Sequence, residues 1–426
     1  MADATRSLIL TGVELADGST TDLAIADGRF VDAADAPGDA ERIDAAGLLA
    51  LPGLVDLHTH LREPGKEDAE TVATGTLAAA RGGYTAVFAM PNLTPTTDTA
   101  EAAQYIAELG IRDGHCEVVP IGAVTKGREG EELAELGLMA AQGVRVFSDD
   151  GACVHDSLIM RRALTYLKPY GGVVAQHAQD PRLAGPSACC HEGEVSGRLG
   201  LPGWPTVAES TIIARDVQLA EFTGGSYHAC HISTAESVEV IRWAKKRGRA
   251  VVTAEVTPHH LLLDTPHVET YDTTFKVNPP LRPSEHIEAL REALADGTID
   301  IVATDHAPHT VQDKDHPFDV ASPGMLGLEE ALAVVMEVMV STGRLDWAGV
   351  ADRMSLAPAR IGRLAHQGRP ITVGEPANLV LVDPSRRSMV DRNRSASKSR
   401  NNPYHGLDLP DPVELTVWAG RITHRR

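Results

Sequence analysis

The sequence predicts an α/β fold, a (β/α)8 TIM barrel with a small composite β-domain formed by both termini. Three observations predict it. Eight apolar, strand-like runs alternate with longer Ala-, Leu- and Glu-rich stretches of helical character, and eight β-then-α units are the number that closes such a barrel. Both ends of the chain read as short strands separated by turn residues. The unusual polar residues gather at the C-terminal ends of the apolar runs, the face where such barrels carry their sites.

In chain order, residues 1–50, with "LILTGVEL", "GST" and "ADGRF", form the N-terminal part of the β-domain. Residues 51–365 form the barrel. Its strands are "GLVDLHTH", "YTAVFAM", "EVVPIGAV", "VRVFSDD", "VVAQHA", "YHACHIS", "AVVTAEV" and "DIVATDHA". Helical segments fall at 70–81, 98–109, 131–142, 157–168, 206–222, 234–247 and 284–296. Residues 366–426, with "ANLVLVD" and "ELTVWAGRIT", complete the β-domain. The polar segment 308–326 follows the eighth strand and reads equally as a lid or a solvated loop. The basic, Ser-rich stretch 385–400 reads as an exposed connection.

Composition narrows the function. The chain has 426 residues, 43% of them hydrophobic but only 4% aromatic, so aliphatic side chains must fill a large core. A formal net charge of −20 argues against nucleic acid as the main partner, since phosphate binding needs a basic footprint. No apolar run reaches the roughly 18–20 residues of a membrane span. The start of the chain lacks the long apolar stretch of a signal peptide. Five cysteines, an odd and sparse set, suggest reduced thiols in a cytoplasm.

The chemistry begins at "DLHTHLREPG". In a strand, residues two apart share a face, so His58, His60 and Arg62 point the same way if the extended conformation persists. Paired imidazoles are good metal ligands. Alone, the pattern is weak in a chain with 18 histidines. Asp150, His177, His231 and Asp305 end other strands at the same face and complete a set of His and Asp ligands. That donor set suits zinc, and less often manganese, cobalt or iron. Six ligands exceed one tetrahedral ion and suffice for two, about 3.5–4 Å apart, with Asp150 bridging. Asp149 faces away from Asp150 as a supporting carboxylate. The adjacent His259 and His260 read as structural. His306 faces away from Asp305, and His309 lies within reach of a substrate.

Together "DLHTHLREPG", "AMPN", "FSDDG", "CHIST", "TAEVTPHHLLL", "KVNPPLR", "ATDHAPH" and "GEPANLVLVD" resemble the dihydroorotases of the amidohydrolase superfamily, of the type with an aspartate bridging the metals. The resemblance runs from about residue 5 to the C-terminus. It implies reversible, zinc-dependent interconversion of N-carbamoyl-L-aspartate and L-dihydroorotate in pyrimidine (UMP) synthesis. By position, His58 and His60 hold one zinc with Asp305, His177 and His231 hold the second, and Asp150 bridges. It further implies that Arg62, Asn92 and His309 bind the substrate carboxylate, that Asn278 lines the pocket, and that Asp305 is the general acid/base. The chemistry fits: Arg is a bidentate carboxylate partner, and a metal-bridging hydroxide attacks a polarised carbonyl. Relatives read Ala-His-Cys-Glu-Asp where this chain has "VVAQHAQD", which sets His177 one position later. A one-residue bulge restores its reach; otherwise a single metal on His58, His60 and Asp305, helped by Asp150, serves. Other cyclic amidohydrolases of the hydantoinase, dihydropyrimidinase and allantoinase kind are the alternative, but most carry a bridging lysine and substrates without the ring carboxylate. A non-catalytic structural partner is disfavoured by the complete ligand set. Self-association, and association with an aspartate transcarbamoylase, stay open.

Overall fold

Two sheets of parallel strands run through the middle of the chain. One sets Leu54–Thr59, Tyr84–Ala89 and Glu117–Pro120 side by side. The other orders Val146–Phe147, Val173–Gln176, Ser226–Ala229, Val251–Val256 and Ile301–Val302. Single parallel bridges, Gly122 with Phe147 and Thr59 with His306, link the two sheets at both flanks. The computed structural model describes residues 7–426, and its class is α/β, as the alternation predicts.

Burial on both faces explains why these strands read as continuous apolar runs: every residue of Leu54–Thr59 and of Tyr84–Ala89 is buried. The helices that follow begin where a side chain satisfies a free N–H. Thr71, Thr99 and Thr234 accept from Thr74, Ala102 and Ser237, and Asp156 accepts from Leu158 and Ile159.

Several strands are shorter than the apolar runs predict. Continuous pairing in the run 117–124 stops at Pro120, in 144–150 it covers Val146–Phe147, and in 300–307 Ile301–Val302, with single bridges beyond at Gly122 and His306. Past those rungs side chains claim part of the backbone. Asp149, turned away from Asp150 as expected, accepts from the N–H groups of Val124 and Thr125 at 2.8 and 3.0 Å. Asp305 takes a left-handed φ of 48°. The helix expected at 131–142 shrinks to Leu136–Ala141, since Leu133 is spent on an antiparallel bridge to Thr125. Helical stretches from Ala331 to Val340 and Trp347 to Ile361 add to those predicted.

Strands from both ends of the chain share one sheet, in which Leu379–Val382 lies antiparallel to Leu49–Pro52 and Leu8–Leu15 lies between Leu49–Pro52 and Thr20–Ala26. Leu49–Pro52 runs across the boundary placed at residue 50. The inner face packs Leu10, Ile25, Phe30, Leu381 and Val417 into its own core.

The stretch 385–400 is exposed or half-buried up to Ala396, as expected, but not at its end, where Ser397 and Ser399 are buried. Ser397 Oγ and the Lys398 N–H both donate to the buried Glu70 carboxylate, and Ser399 Oγ donates to Ala69 O at 2.7 Å. Serine reads as surface in sequence, but here its hydroxyls satisfy buried acceptors.

Candidate active site

All the expected site residues except His58 line one pocket of about 220 Å³ at the C-terminal ends of the parallel strands. His58 is fully buried beneath it.

The first strand delivers the opening histidines. His58 Nδ1 lies 2.6 Å from Glu255 Oε1 and donates to it, which leaves Nε2 as a bare lone pair. His60 Nδ1 lies 2.9 Å from Asn92 Oδ1 and donates there in the same way. Asp150 turns one oxygen to each side. Its Oδ2 is 3.4 Å from His60 Nε2, while Oδ1 is 3.4 Å from both His58 Nε2 and His231 Nε2 and 3.6 Å from His177 Nδ1. Asp305 Oδ1 closes on His60 Nε2 at 3.0 Å and on His58 Nε2 at 3.4 Å.

His177 arrives without the bulge that its sequence position suggested. The ladder from Val173 to Gln176 pairs in regular register with Ser226 to Ala229. His177 follows the last rung, donates from Nε2 to Gln179 Oε1 at 2.8 Å, and brings Nδ1 to 2.9 Å from His231 Nε2. Gln179, which departs from the relatives' acid, thus orients the ring. His231 has a φ of 29°, and its N–H donates to Glu255 Oε1 at 3.1 Å.

Arg62 does not reach the pocket by strand alternation. The strand ends at Thr59, and Arg62 has a φ of 62°. Its Nε donates to Pro308 O at 3.0 Å, and its guanidinium approaches His309 Nε2 at 3.4 Å. His309 in turn donates to Pro323 O at 2.8 Å. Asn278 donates from Nδ2 to Gln179 Oε1 at 2.8 Å. Arg62, His231 and Asp305 all sit in the left-handed region that non-glycine residues avoid, and such outliers cluster at functional sites.

Of the other histidines, His259 is buried with neither ring nitrogen hydrogen-bonded. His260 is held by Thr257 Oγ1 and Pro279 O, and His306 turns to Glu70 and the Gly327 N–H. Glu255 was missed: a lone carboxylate inside the apolar run "VVTAEV" was the available signal.

The electrostatics point to a cation. Burial alone would raise Asp150 and Asp305, but the surrounding histidines, His58 foremost, outweigh it and hold both carboxyls below the usual range. Burial alone would lower His58, yet Asp150, Glu255 and Asp305 hold it well above its ordinary value. Imidazole lone pairs facing carboxylate oxygens repel unless a proton or metal ion lies between them. His58 Nε2 and Asp150 Oδ1 are buried without a hydrogen-bond partner. His58, His60 and Asp305, and likewise His58, Asp150 and His231, bring ligand atoms within 4.8 Å of one another. The donor set therefore fits divalent metal.

A family model described as "Dihydro-orotase-like" matches residues 47–237. A curated protein named dihydroorotase from Streptomyces coelicolor is 59% identical over 421 residues, covering 97% of each chain. One of the same name from Mycobacterium tuberculosis is 50% identical over 98% of each. Among solved structures, L-hydantoinase from Arthrobacter aurescens superposes with a TM-score of 0.86 at 24% identity, over 98% of this chain and 96% of that one, a likeness of fold alone. No helix among the described residues is long and apolar enough to cross a membrane. High identity along nearly the whole length, over a pocket with these ligands, places the chain in the dihydroorotase family.

Proposed function

We propose that this chain is a zinc-dependent dihydroorotase that interconverts N-carbamoyl-L-aspartate and L-dihydroorotate reversibly, on the path to UMP. The observation that carries the reading is the placement of Asp150 among four histidines, with Oδ2 toward His60 and Oδ1 toward His58, His177 and His231, and with Arg62 in the same pocket. The relatives' shared name supports the activity.

On this reading His58, His60 and Asp305 would hold one zinc and His177 and His231 a second, with Asp150 available to both. When bound, the ions supply an activated water and polarise the carbonyl under attack. The chain's own residues do the rest. Arg62 offers a forked donor to the ring carboxylate, with His309 beside it. Asn92 spends Oδ1 on His60, so its Nδ2 is left to donate to the same carboxylate. Asn278 lines the adjoining wall. Asp305, in reach of both opening histidines, carries a proton between the water and the ring nitrogen. Ring closure runs the same path backwards.

The same reading takes residues 51–365 as a closed (β/α)8 barrel, with residues 1–50 and 366–426 supplying the composite β-domain. The bridges at Thr59–His306 and Gly122–Phe147 support closure. The pairing of Leu49–Pro52 with Leu379–Val382 supports the shared sheet.

The test follows L-dihydroorotate hydrolysis and N-carbamoyl-L-aspartate cyclisation on purified protein, before and after metal stripping and zinc return. Metal-dependent turnover in both directions is expected. Hydantoin hydrolysis without dihydroorotate turnover would overturn the substrate assignment.

A further inference from the structure

The loop 308–326 hides a lysine that the reaction does not use. Lys314 ends the short helix Val311–Lys314 and is buried. Its Nζ donates to Ser322 O at 2.8 Å, Gly324 O at 3.0 Å and, more weakly, Lys276 O at 3.4 Å. Ser322 and Gly324 are pocket wall. The Gly324 N–H closes back on Lys276 O at 2.9 Å, and Asn401 Nδ2 also donates to Gly324 O, at 3.1 Å. Between these anchors lies Pro323, whose carbonyl receives His309. The fit is close: Gly324 has a φ of 140°, and a Cβ there would stand 2.8 Å from both the His309 ring and Ala307.

A lysine ammonium has three donors, and three carbonyls meet it here. A buried ammonium is costly unless its hydrogen bonds are complete. An apolar side chain in its place would leave Ser322 O without its partner and strip Gly324 O and Lys276 O to one donor each.

We propose that Lys314 is a positioning residue for the reaction: its ammonium ties three carbonyls so that the 322–324 wall, and His309 against it, stay set around the substrate. This rests on the dihydroorotate reading of the pocket. Lys314 touches no reacting group. Burial, then the nearby Lys276, push the amine down to about 7, against the opposing pull of Asp272 and Asp313. Asp272 and Lys276 face it from the preceding loop and Asp313 from its own turn, while His309, Asp315, Arg392 and Arg400 line the cavity it shares. An amine lowered in this way gives up its proton more readily with the wall closed than with it open, so raising the pH through that value does not by itself open the wall.

The test compares zinc-loaded wild type, Lys314→Met and Lys314→Arg. The Met variant should raise the KM for L-dihydroorotate about tenfold, as for a lost charged hydrogen bond, with kcat within about threefold. Its bound metal should be unchanged and protease cleavage within 308–326 faster, and the Arg variant should recover part of the KM. A KM within about twofold of wild type would overturn the proposal. So would an unchanged KM with kcat and Tm falling together, the mark of a purely structural lysine. Amide exchange supplies a second measurement. At one pH, protection of 320–326, compared with Leu54–Thr59, should be lower in Lys314→Met than in wild type if Lys314 pins the wall. Equal protection would refute it. Wild type without dihydroorotate turnover would fail the activity reading instead, and the exchange result would still decide the pinning.

Discussion

Glu255 Oε1 lies 2.6 Å from His58 Nδ1, and the same carboxylate reaches His228 Nε2 through its other oxygen at 2.9 Å. Neither acid oxygen faces the pocket. Glu255 acts through His58, fixing the tautomer so that Nε2 is free for metal. Glu255→Gln should therefore weaken metal binding about 10- to 100-fold. Metal content after equilibration against graded chelator measures it, and turnover restored by excess zinc would separate this from a folding defect.

Asp305 faces both opening histidines, at 3.0 and 3.4 Å. Asp305→Asn keeps the shape and loses the proton carrier. Turnover in both directions should drop by about 10²–10⁴. Wild-type activity in the well-folded variant would remove Asp305 from the mechanism.

Arg62 is held through Nε by Pro308 O, which leaves its outer nitrogens to the pocket. Lysine cannot reproduce the planar fork. Arg62→Lys should lower kcat/KM for L-dihydroorotate by about 10- to 100-fold, or about 1.5–3 kcal/mol, with metal content intact. Steady-state kinetics alongside metal analysis checks this.

Stripping metal should destabilise the fold, because carboxylates and imidazole lone pairs then face each other at 3.0–3.6 Å with no ion between. At a free-ion level a hundredfold above Kd, linkage gives about 2.7 kcal/mol. Thermal unfolding with and without zinc should differ by several degrees. Coincident curves would argue against a bound ion.

Stability should also respond to pH at Glu330, far from the ligands in sequence. Burial, with Glu329 beside it, pushes this carboxyl up to about 8. A raised carboxyl binds its proton more tightly when folded, so its contribution is complete below pH 4.5 and is lost as pH rises through 8. Glu330→Gln lacks that loss. Relative to wild type, the variant should gain about 1–2 kcal/mol between pH 6 and 9. Denaturant titrations at the two pH values decide it.

Much of the site was legible because its ligands stand where apolar runs end. His58 and His60 follow from strand alternation, and Asp150, His231 and Asp305 from their place at the same face. What failed was what depends on backbone departures from the strand. Arg62 enters through a left-handed φ, and His177 lies past the last rung of an unbulged ladder. Periodicity carries no information about residues outside the ladder. Glu255 was hidden by its neighbours' hydrophobicity, and Ser397 and Ser399 by their own polarity. Their partners, Glu70 and Ala69, are over 300 residues away in the chain.

Every expected ligand precedes residue 306, yet the mouth above them is completed by the far end of the chain. Asn401 accepts from the His309 N–H and donates to Ala307 O and Gly324 O, while Ser397 holds the Glu70 that His306 leans on. During synthesis, then, every expected ligand residue is made before the residues that complete the rim. A ribosome must deliver the stretch through residue 401 before the pocket has its final outline.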